Sequence, residues 1–389
     1  MVDTSLRIAM IGTRGVPANY GGFETAVEEI GARLVESGHR VVVYTRDPDG
    51  TAPRWHRGMR VVVLPAIRRK TAETLSHTAL STAHAVLRAK PDVAFLFNAA
   101  NSPFLPFLRA ARIPVATHVD GLEWMRAKWG RTGRNYYRLA ESLAVRLSDA
   151  LIADAAGISS YYRREFGVTT EQIAYGTDIL RQIGSERLPS PLVPLGYHLV
   201  VARFEPENHV LEIVRGYHES QAARPLVVVG SAPFAASYTQ EIERIASADD
   251  RITLLGGVYD QDVLNQLYGN ALTYLHGHSV GGTNPSLLRA MGAGTAVIAW
   301  DVDFNREVAV DTGRYFSDPA GLGPQLLAAE SDIAATQTRG AAAQHRASTS
   351  YRWANVAEAY AELARALTRG YRRAGPRTGI RIEHSQQGL

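Results

Sequence analysis

Residues 7–44 read RIAMIGTRGVPANYGGFETAVEEIGARLVESGHRVVVY. Residues 7–11 form a short apolar run and end in a loop rich in glycine and proline, 12–22. From 23 to 37, Ala26, Val27, Ile30, Leu34 and Val35 fall near the 3.6-residue spacing of a helix with one buried face. Gly38-His39 ends that helix, and 40–44 is a second apolar strand. Both strands are apolar without alternation, so both of their faces are covered, as in a parallel sheet sandwiched by helices.

The same unit recurs outward from this stretch. Further apolar strands are expected at 61–64, 93–97, 115–118 and 150–153, with helical stretches between several of them. An irregular run at 185–196 holds three prolines, Pro189, Pro191 and Pro194, and reads as a linker. The pattern then restarts with strands at 198–202, 225–229, 252–255, 273–276 and 296–299. The expected organisation is α/β. One doubly wound domain spans 1–182 and a second spans 183–352. A helix at 353–370 follows, and the arginine-rich segment 371–389 is expected to be a mobile tail.

Composition narrows the chemistry. The 389 residues are 46% hydrophobic and 21% charged, enough for two sizeable cores and unlike a disordered chain. Cysteine is absent, which removes disulfides, thiolate zinc sites, iron–sulfur clusters and cysteine nucleophiles together. Net charge is +4, and only Lys70, Lys90 and Lys128 of the 42 basic residues are lysines. Arginine suits bidentate phosphate recognition, but these residues are scattered and no nucleic-acid-binding signature accompanies them. No apolar run approaches the ~18 residues of a membrane span, and the N-terminus lacks an apolar leader. A soluble cytoplasmic protein is expected.

Three loops follow strands, where open parallel sheets place ligands. The first, 12–24, carries the pair Gly21-Gly22 just before a helix, which lets backbone N–H groups approach a phosphate. It does not have the Gly-x-Gly-x-x-Gly spacing of a dinucleotide site, which argues against a nicotinamide-dependent dehydrogenase. The second, Ala202-Arg203-Phe204-Glu205-Pro206-Glu207-Asn208-His209, offers Arg203 to a diphosphate or to a surface pair with Glu205 or Glu207. The third is HGHSVGGTNPSLLR, 276–289, where Pro285 suits the first turn of a helix and Asn284 its N-cap. Amides of Gly281, Gly282, Thr283 and Asn284 would then converge. His276 and His278 lack a third ligand at suitable spacing for zinc.

With these loops the chain resembles the retaining GT-B glycosyltransferases of family 4, in the branch that carries the N-terminal domain of presumed rhamnosyltransferases. The matching pieces are IGTRGVPANYGGFE (11–24), VDGLEW…KW (119–129), ARFEPEN (202–208), HGHSVGGTNPSLLRAMGAG (276–294) and DVDFNRE (301–307). The resemblance implies two Rossmann-like domains facing each other across a cleft. The second would bind a nucleotide-sugar and the first the acceptor, with the helix at 353–370 crossing back to the first and no metal or other cofactor required. It places Arg14, Gly21, Gly22, Arg203, Asn208, Val258, Tyr259, Ser279, Gly281, Gly282, Thr283, Asn284 and Arg289 at the donor. His118 would lie against the transferred sugar, Asp120 would support it or bind acceptor, and Arg203 would clamp the leaving diphosphate. Acceptor contacts fall on Asn19, Tyr20, Glu24 and Trp124.

Three departures sharpen the expectation. Asn208-His209 stand where the family has a Lys-Gly pair, and Gly281 and Arg289 replace its two glutamates. The loss of the first glutamate fits a differently shaped donor such as a dTDP-linked 6-deoxy sugar, L-rhamnose or a relative such as dihydrostreptose. The second departure removes an acceptor for ribose hydroxyls, because a guanidinium only donates. Arg289 would then point its charge either at the diphosphate or into solvent. Two acceptors stay open: a lipid-linked cell-surface glycan, with peripheral contact to an anionic membrane, or a soluble natural-product acceptor. A catalytically impaired partner subunit is the competing reading.

Overall fold

In the computed structural model, residues 5–18, 22–47, 50–67, 72–119, 121–126, 129–231 and 236–382 are described. The chain divides into two compact units, Met1–Ala174 with Trp353–Leu389, and Tyr175–Arg352. Residues 175–182, expected in the first domain, belong to the second. There Thr177 bridges to Arg352, and the Leu180 amide donates to the Gly292 carbonyl at 3.0 Å.

The first unit is built on strands β1 (Arg7–Ile11), β2 (Arg40–Thr45), β3 (Trp55–His56), β4 (Met59–Val63), β5 (Val93–Phe97), β6 (Val115–His118), β7 (Ala150–Ala153) and β8 (Glu171–Gln172). Their order is β3-β4-β2-β1-β5-β6-β7-β8, parallel throughout except for β3 against β4. The apolar runs behave as expected: Val93 to Phe97 are all buried, as are Ile8 to Ile11. The missed edge strands β3 and β8 are two residues each and carry no apolar signature. Helix Trp353–Thr368 lies on helix Gly22–Glu36 and sets Tyr360 against Phe95, ring centroids 4.8 Å apart.

The second unit orders β9 (His198–Val201), β10 (Leu226–Val229), β11 (Ile252–Gly256), β12 (Thr273–His276), β13 (Ala296–Trp300) and β14 (Arg314–Phe316) as β11-β10-β9-β12-β13-β14, all parallel. In both sheets the chain winds outward in one direction, returns to the middle, and winds outward in the other. The reversal falls between β1 and β5 in one unit and between β9 and β12 in the other. Loops leaving the carboxyl ends at such a reversal splay apart and open a crevice, the usual ligand position in these sheets.

The tail does not behave as expected. Residues 371–382 are fastened to the first unit: Arg373 is 4% exposed, its backbone amide donates to the Asp149 carbonyl at 2.9 Å, and its guanidinium donates to the Val145 carbonyl. Arginine content suggested solvent exposure, but these guanidinia are spent on carbonyls and carboxylates. Among the described residues no helix is long and apolar enough to cross a membrane.

Candidate active site

In the second unit, the loops after β9 and β12 flank the reversal and are stitched together by backbone. The Ser279 amide and hydroxyl both donate to the Glu207 carbonyl, at 2.9 and 3.1 Å. Ser279 thus braces the crevice instead of offering its hydroxyl to it. Asn208, expected at the donor, is 2% exposed and gives its side-chain amide to the Arg203 carbonyl at 2.8 Å, closing the loop that carries the arginine. The Arg203 side chain is 43% exposed and meets Glu205 at 3.4 Å. Such an exposed pair is worth at most about 1 kcal/mol, so the guanidinium can exchange partners cheaply.

His209 takes φ +46°, a conformation uncommon for a non-glycine residue. Its ring stacks on Trp300 with centroids 3.8 Å apart, and its Nδ1 lies 2.8 Å from the Gly277 carbonyl. A carbonyl only accepts, so Nδ1 is the protonated nitrogen.

The chain then runs through Gly281, Gly282 and Thr283 into helix Pro285–Gly292. The Asn284 side chain accepts from the Ser286 amide at 2.9 Å, the N-cap its sequence position suggests. Gly281 sits at φ +140°, and a Cβ placed there would meet nothing within 4 Å. A side chain at this position would therefore have open space just before the helix start. Val258 and Tyr259 follow β11; Tyr259 is 66% exposed.

Arg289 points neither outward nor along the amide run. Its guanidinium donates to Asn265 Oδ1 at 3.1 and 2.6 Å, to Gln261 Oε1 at 2.9 Å and to the Gln261 carbonyl at 3.2 Å, and it lies 5.5 Å from the centroid of Tyr268. Burial draws its pKa below the usual arginine value, against the pull of Tyr268 and Asp178. Four of its five N–H donors are thus engaged within the unit, an arrangement that neither expectation for this residue included. Gln261 and Asn265 sit 28 and 24 residues upstream on a surface helix, with nothing in the sequence to pair them with Arg289.

His276 is fully buried, stacks on His278 at 4.6 Å, and is pushed down to a pKa of about 3 by burial. It is a neutral core imidazole. Among the described residues no group of three or more His, Cys, Asp or Glu could hold a metal.

In the first unit the loop after β1 is braced from the helix behind it. Glu24 accepts from the Arg14 amide at 3.0 Å and Glu28 from the Ala18 amide at 2.6 Å. Glu24, expected at the acceptor, therefore spends one carboxylate oxygen on the loop, while the Arg14 side chain is exposed. Gly22 opens the helix. His118 ends β6, 3% exposed, stacked on Phe97 at 5.8 Å and edge-on to Phe23 at 5.5 Å. Burial drives its pKa down to about 3, so it is a neutral imidazole. Trp124, in a short turn after β6, is half-buried against Tyr161, with Arg138 5.4 Å over its ring. Asn19, Tyr20, Gly21 and Asp120 lie outside the described residues.

Sequence reasoning missed Asn101. It is fully buried, donates to the carbonyls of Gly12 at 3.2 Å and Phe97 at 2.8 Å, and accepts from Thr78 at 2.8 Å. It ties the β1 loop to the end of β5 across the reversal point. The signal available was a pair of asparagines, Asn98 and Asn101, directly after a wholly apolar strand.

Comparison with known proteins agrees with this layout. Residues 21–175 match the family described as glycosyl transferase 4-like domain, and residues 197–334 match glycosyl transferases group 1. Glycogen synthase of Mycobacterium tuberculosis is 26% identical, the alignment covering 98% of this chain and 99% of that protein. Sucrose-phosphate synthase from Thermosynechococcus elongatus superposes with a TM-score of 0.77 at 20% identity, over 93% of this chain and 99% of the other. HepE of Anabaena, solved in complex with UDP-glucose, gives 0.72 at 16% identity, over 93% and 100%. Two family matches, one on each Rossmann-like unit, identify the chain as a retaining, nucleotide-sugar-dependent glycosyltransferase of the GT-B fold, its second half matching the group 1 glycosyltransferases.

Proposed function

We propose that the chain transfers a 6-deoxy sugar, L-rhamnose or a close relative, from a dTDP-linked donor to an acceptor hydroxyl of a cell-surface glycan or a natural product. The observation that supports this reading is the pairing of an open Gly281 with a pinned Arg289. A carboxylate at the first position would hold hydroxyls of the donor sugar. Open space there suits a donor that does not need it. At the second position, a guanidinium whose N–H groups already go to Gln261 and Asn265 has nothing with which to accept from a ribose. A nucleotide without the 2′-hydroxyl loses less by that exchange.

In this reading Arg203 and the amides of Gly281–Asn284 stabilise the charge that builds on the departing diphosphate, taking the place of a metal. Preorganised donors of this kind are usually the largest catalytic contribution. Attack occurs on the face the diphosphate leaves, and the leaving phosphate oxygen takes the acceptor proton, so no protein base is required. His118, neutral and held between aromatic rings, positions the sugar without adding charge. Asn208 acts one step removed, by fixing the backbone of Arg203. The first unit's loops, with Trp124 among them, serve the acceptor.

Calorimetric titration with dTDP and with UDP tests the donor. Tighter dTDP binding is expected. Clearly tighter UDP binding would overturn the deoxy-nucleotide reading in favour of a UDP-sugar, the ligand seen in HepE.

A further inference from the structure

The segment that follows helix Trp353–Thr368 is seated on the first unit at several specific points. Gly375, at φ +99°, approaches the backbone so closely that a Cβ would lie 2.4 Å from the Gly167 carbonyl oxygen. Gly379, at φ +67°, would place one 2.3 Å from the Ser142 carbonyl oxygen. The Ala374 amide donates to Thr169 at 3.2 Å, and the Ile382 amide donates to the Glu165 carbonyl at 2.7 Å. Arg372 reaches Asp149 at 2.9 Å. These contacts lay the segment across helix Arg131–Leu147 and the end of helix Ala156–Phe166, and deliver Arg381 to one buried point.

That point is Glu141, 3% exposed in the middle of helix Arg131–Leu147. Arg381 donates to Glu141 Oε2 at 2.5 Å and to the Tyr161 hydroxyl at 2.7 Å, and Tyr161 donates to the same carboxylate oxygen at 3.1 Å. The guanidinium also covers Phe166 at 4.7 Å from its centroid. On the other side of this group lies Trp124. Its ring is 6.5 Å from Tyr161, the residue whose hydroxyl Arg381 and Glu141 share, and it packs against the same buried cluster that holds Tyr161 and Phe166. Burial raises the Glu141 pKa, and Arg381 is the foremost opposing influence. Breaking a buried pair by removing one partner is strongly destabilising because a charge is left uncompensated.

We infer that residues 371–382 are a strap that sets the turn carrying Trp124, with Arg381 as its positioning residue, acting through Glu141 and Tyr161. The inference rests on the proposed acceptor side of the first unit only for its consequence. The strap itself is a statement about Trp124, one of five tryptophans. Without Arg381 the carboxylate takes up a proton or draws in water, and the turn at 123–125 loses the surface it packs on.

The test is acrylamide quenching of tryptophan fluorescence in the full chain, comparing each background with its Trp124→Phe partner to isolate the Trp124 signal. Arg381→Ala is expected to raise the quenching constant of Trp124 on the order of twofold, as local release exposes only segments that lose their contacts. Arg381→Lys, which keeps one charged bond, should fall between. Calorimetric UDP affinity should stay within about twofold of the parent, since the second unit is untouched. An unchanged Trp124 signal in folded Arg381→Ala overturns the strap, and so does a loss of UDP binding in step with it, which would mean general unfolding. Should Arg381→Ala not fold, Glu141→Gln keeps the shape, removes the charge and carries the same comparison. Whether Trp124 meets acceptor is decided separately by transfer kinetics of Trp124→Ala, so either idea can fail alone.

Discussion

On the proposed mechanism, Arg203→Ala should separate catalysis from stability. The side chain is 43% exposed, and its partner in the unit is Glu205 at 3.4 Å. An exposed ion pair of that length contributes about 0–1 kcal/mol, so the melting temperature should move by no more than a few degrees. Bound to a departing diphosphate, the same guanidinium would act as a preorganised charged donor, whose loss in comparable sites costs roughly 2–4 kcal/mol of transition-state stabilisation. At about 1.4 kcal/mol per factor of ten, kcat/KM should drop roughly 30- to 1000-fold. The assay is donor turnover measured by nucleotide release, alongside a thermal melt of the same preparation. Removing Arg203 also takes a positive charge away from Glu205, so if the diphosphate binds here Arg203→Ala/Glu205→Gln should recover a small part of the loss. Unchanged kcat/KM in Arg203→Ala would remove the arginine from the mechanism. A large fall in melting temperature would instead mean that its contacts in the structure carry more than an exposed pair should.

The other expectations differ in kind. Arg289→Ala should act on stability: it deprives Asn265 and Gln261 of their donors, which should cost roughly 1–3 kcal/mol, read as a lower urea midpoint, while a nucleotide affinity reduced more than the midpoint accounts for would return Arg289 to the diphosphate. Asn101→Ala leaves the Gly12 and Phe97 carbonyls and the Thr78 hydroxyl without their partner; a stability loss of about 2–4 kcal/mol with faster amide exchange in the 12–18 loop is expected, and exchange unchanged there would show that Asn101 does not hold the loop. Acid should destabilise the fold through histidines kept neutral by burial. His118 and His276 are each pushed from 6.5 to about 3, so the unfolded chain binds their protons first; their contribution is complete above pH 6.5 and is lost as pH falls towards 3. At pH 5 that amounts to roughly 2 kcal/mol for each, and urea melts with equal midpoints at pH 7.5 and pH 5 would contradict it.

How much of this could be read from the sequence follows from what each feature depends on. The two sheets were legible because strands covered on both faces must be apolar throughout, and Ile8 to Ile11, Val93 to Phe97 and Leu226 to Val229 carry that requirement in consecutive letters. The helix start at Asn284-Pro285 was legible because capping is local. The edge strands Trp55–His56, Glu171–Gln172 and Arg314–Phe316 were not, since a strand of two or three residues with a neighbour on one side needs no apolar run. Long-range polar pairings were illegible for a different reason. Nothing near Arg289 in the chain announces Gln261 and Asn265, and nothing near Arg381 announces Glu141, 240 residues before it. A mobile, exposed setting was therefore the expectation for Arg381, and diphosphate or solvent for Arg289, where the structure shows a buried carboxylate and a row of amide oxygens instead. The same reasoning turns into a rule for this chain, in which 39 of the 42 basic residues are arginine. A guanidinium with several donors and a flat face can be absorbed by the protein itself, so charge in the sequence is a poor guide to a ligand site by itself, and Arg203 is proposed for one because its side chain stays half exposed in the loop after β9.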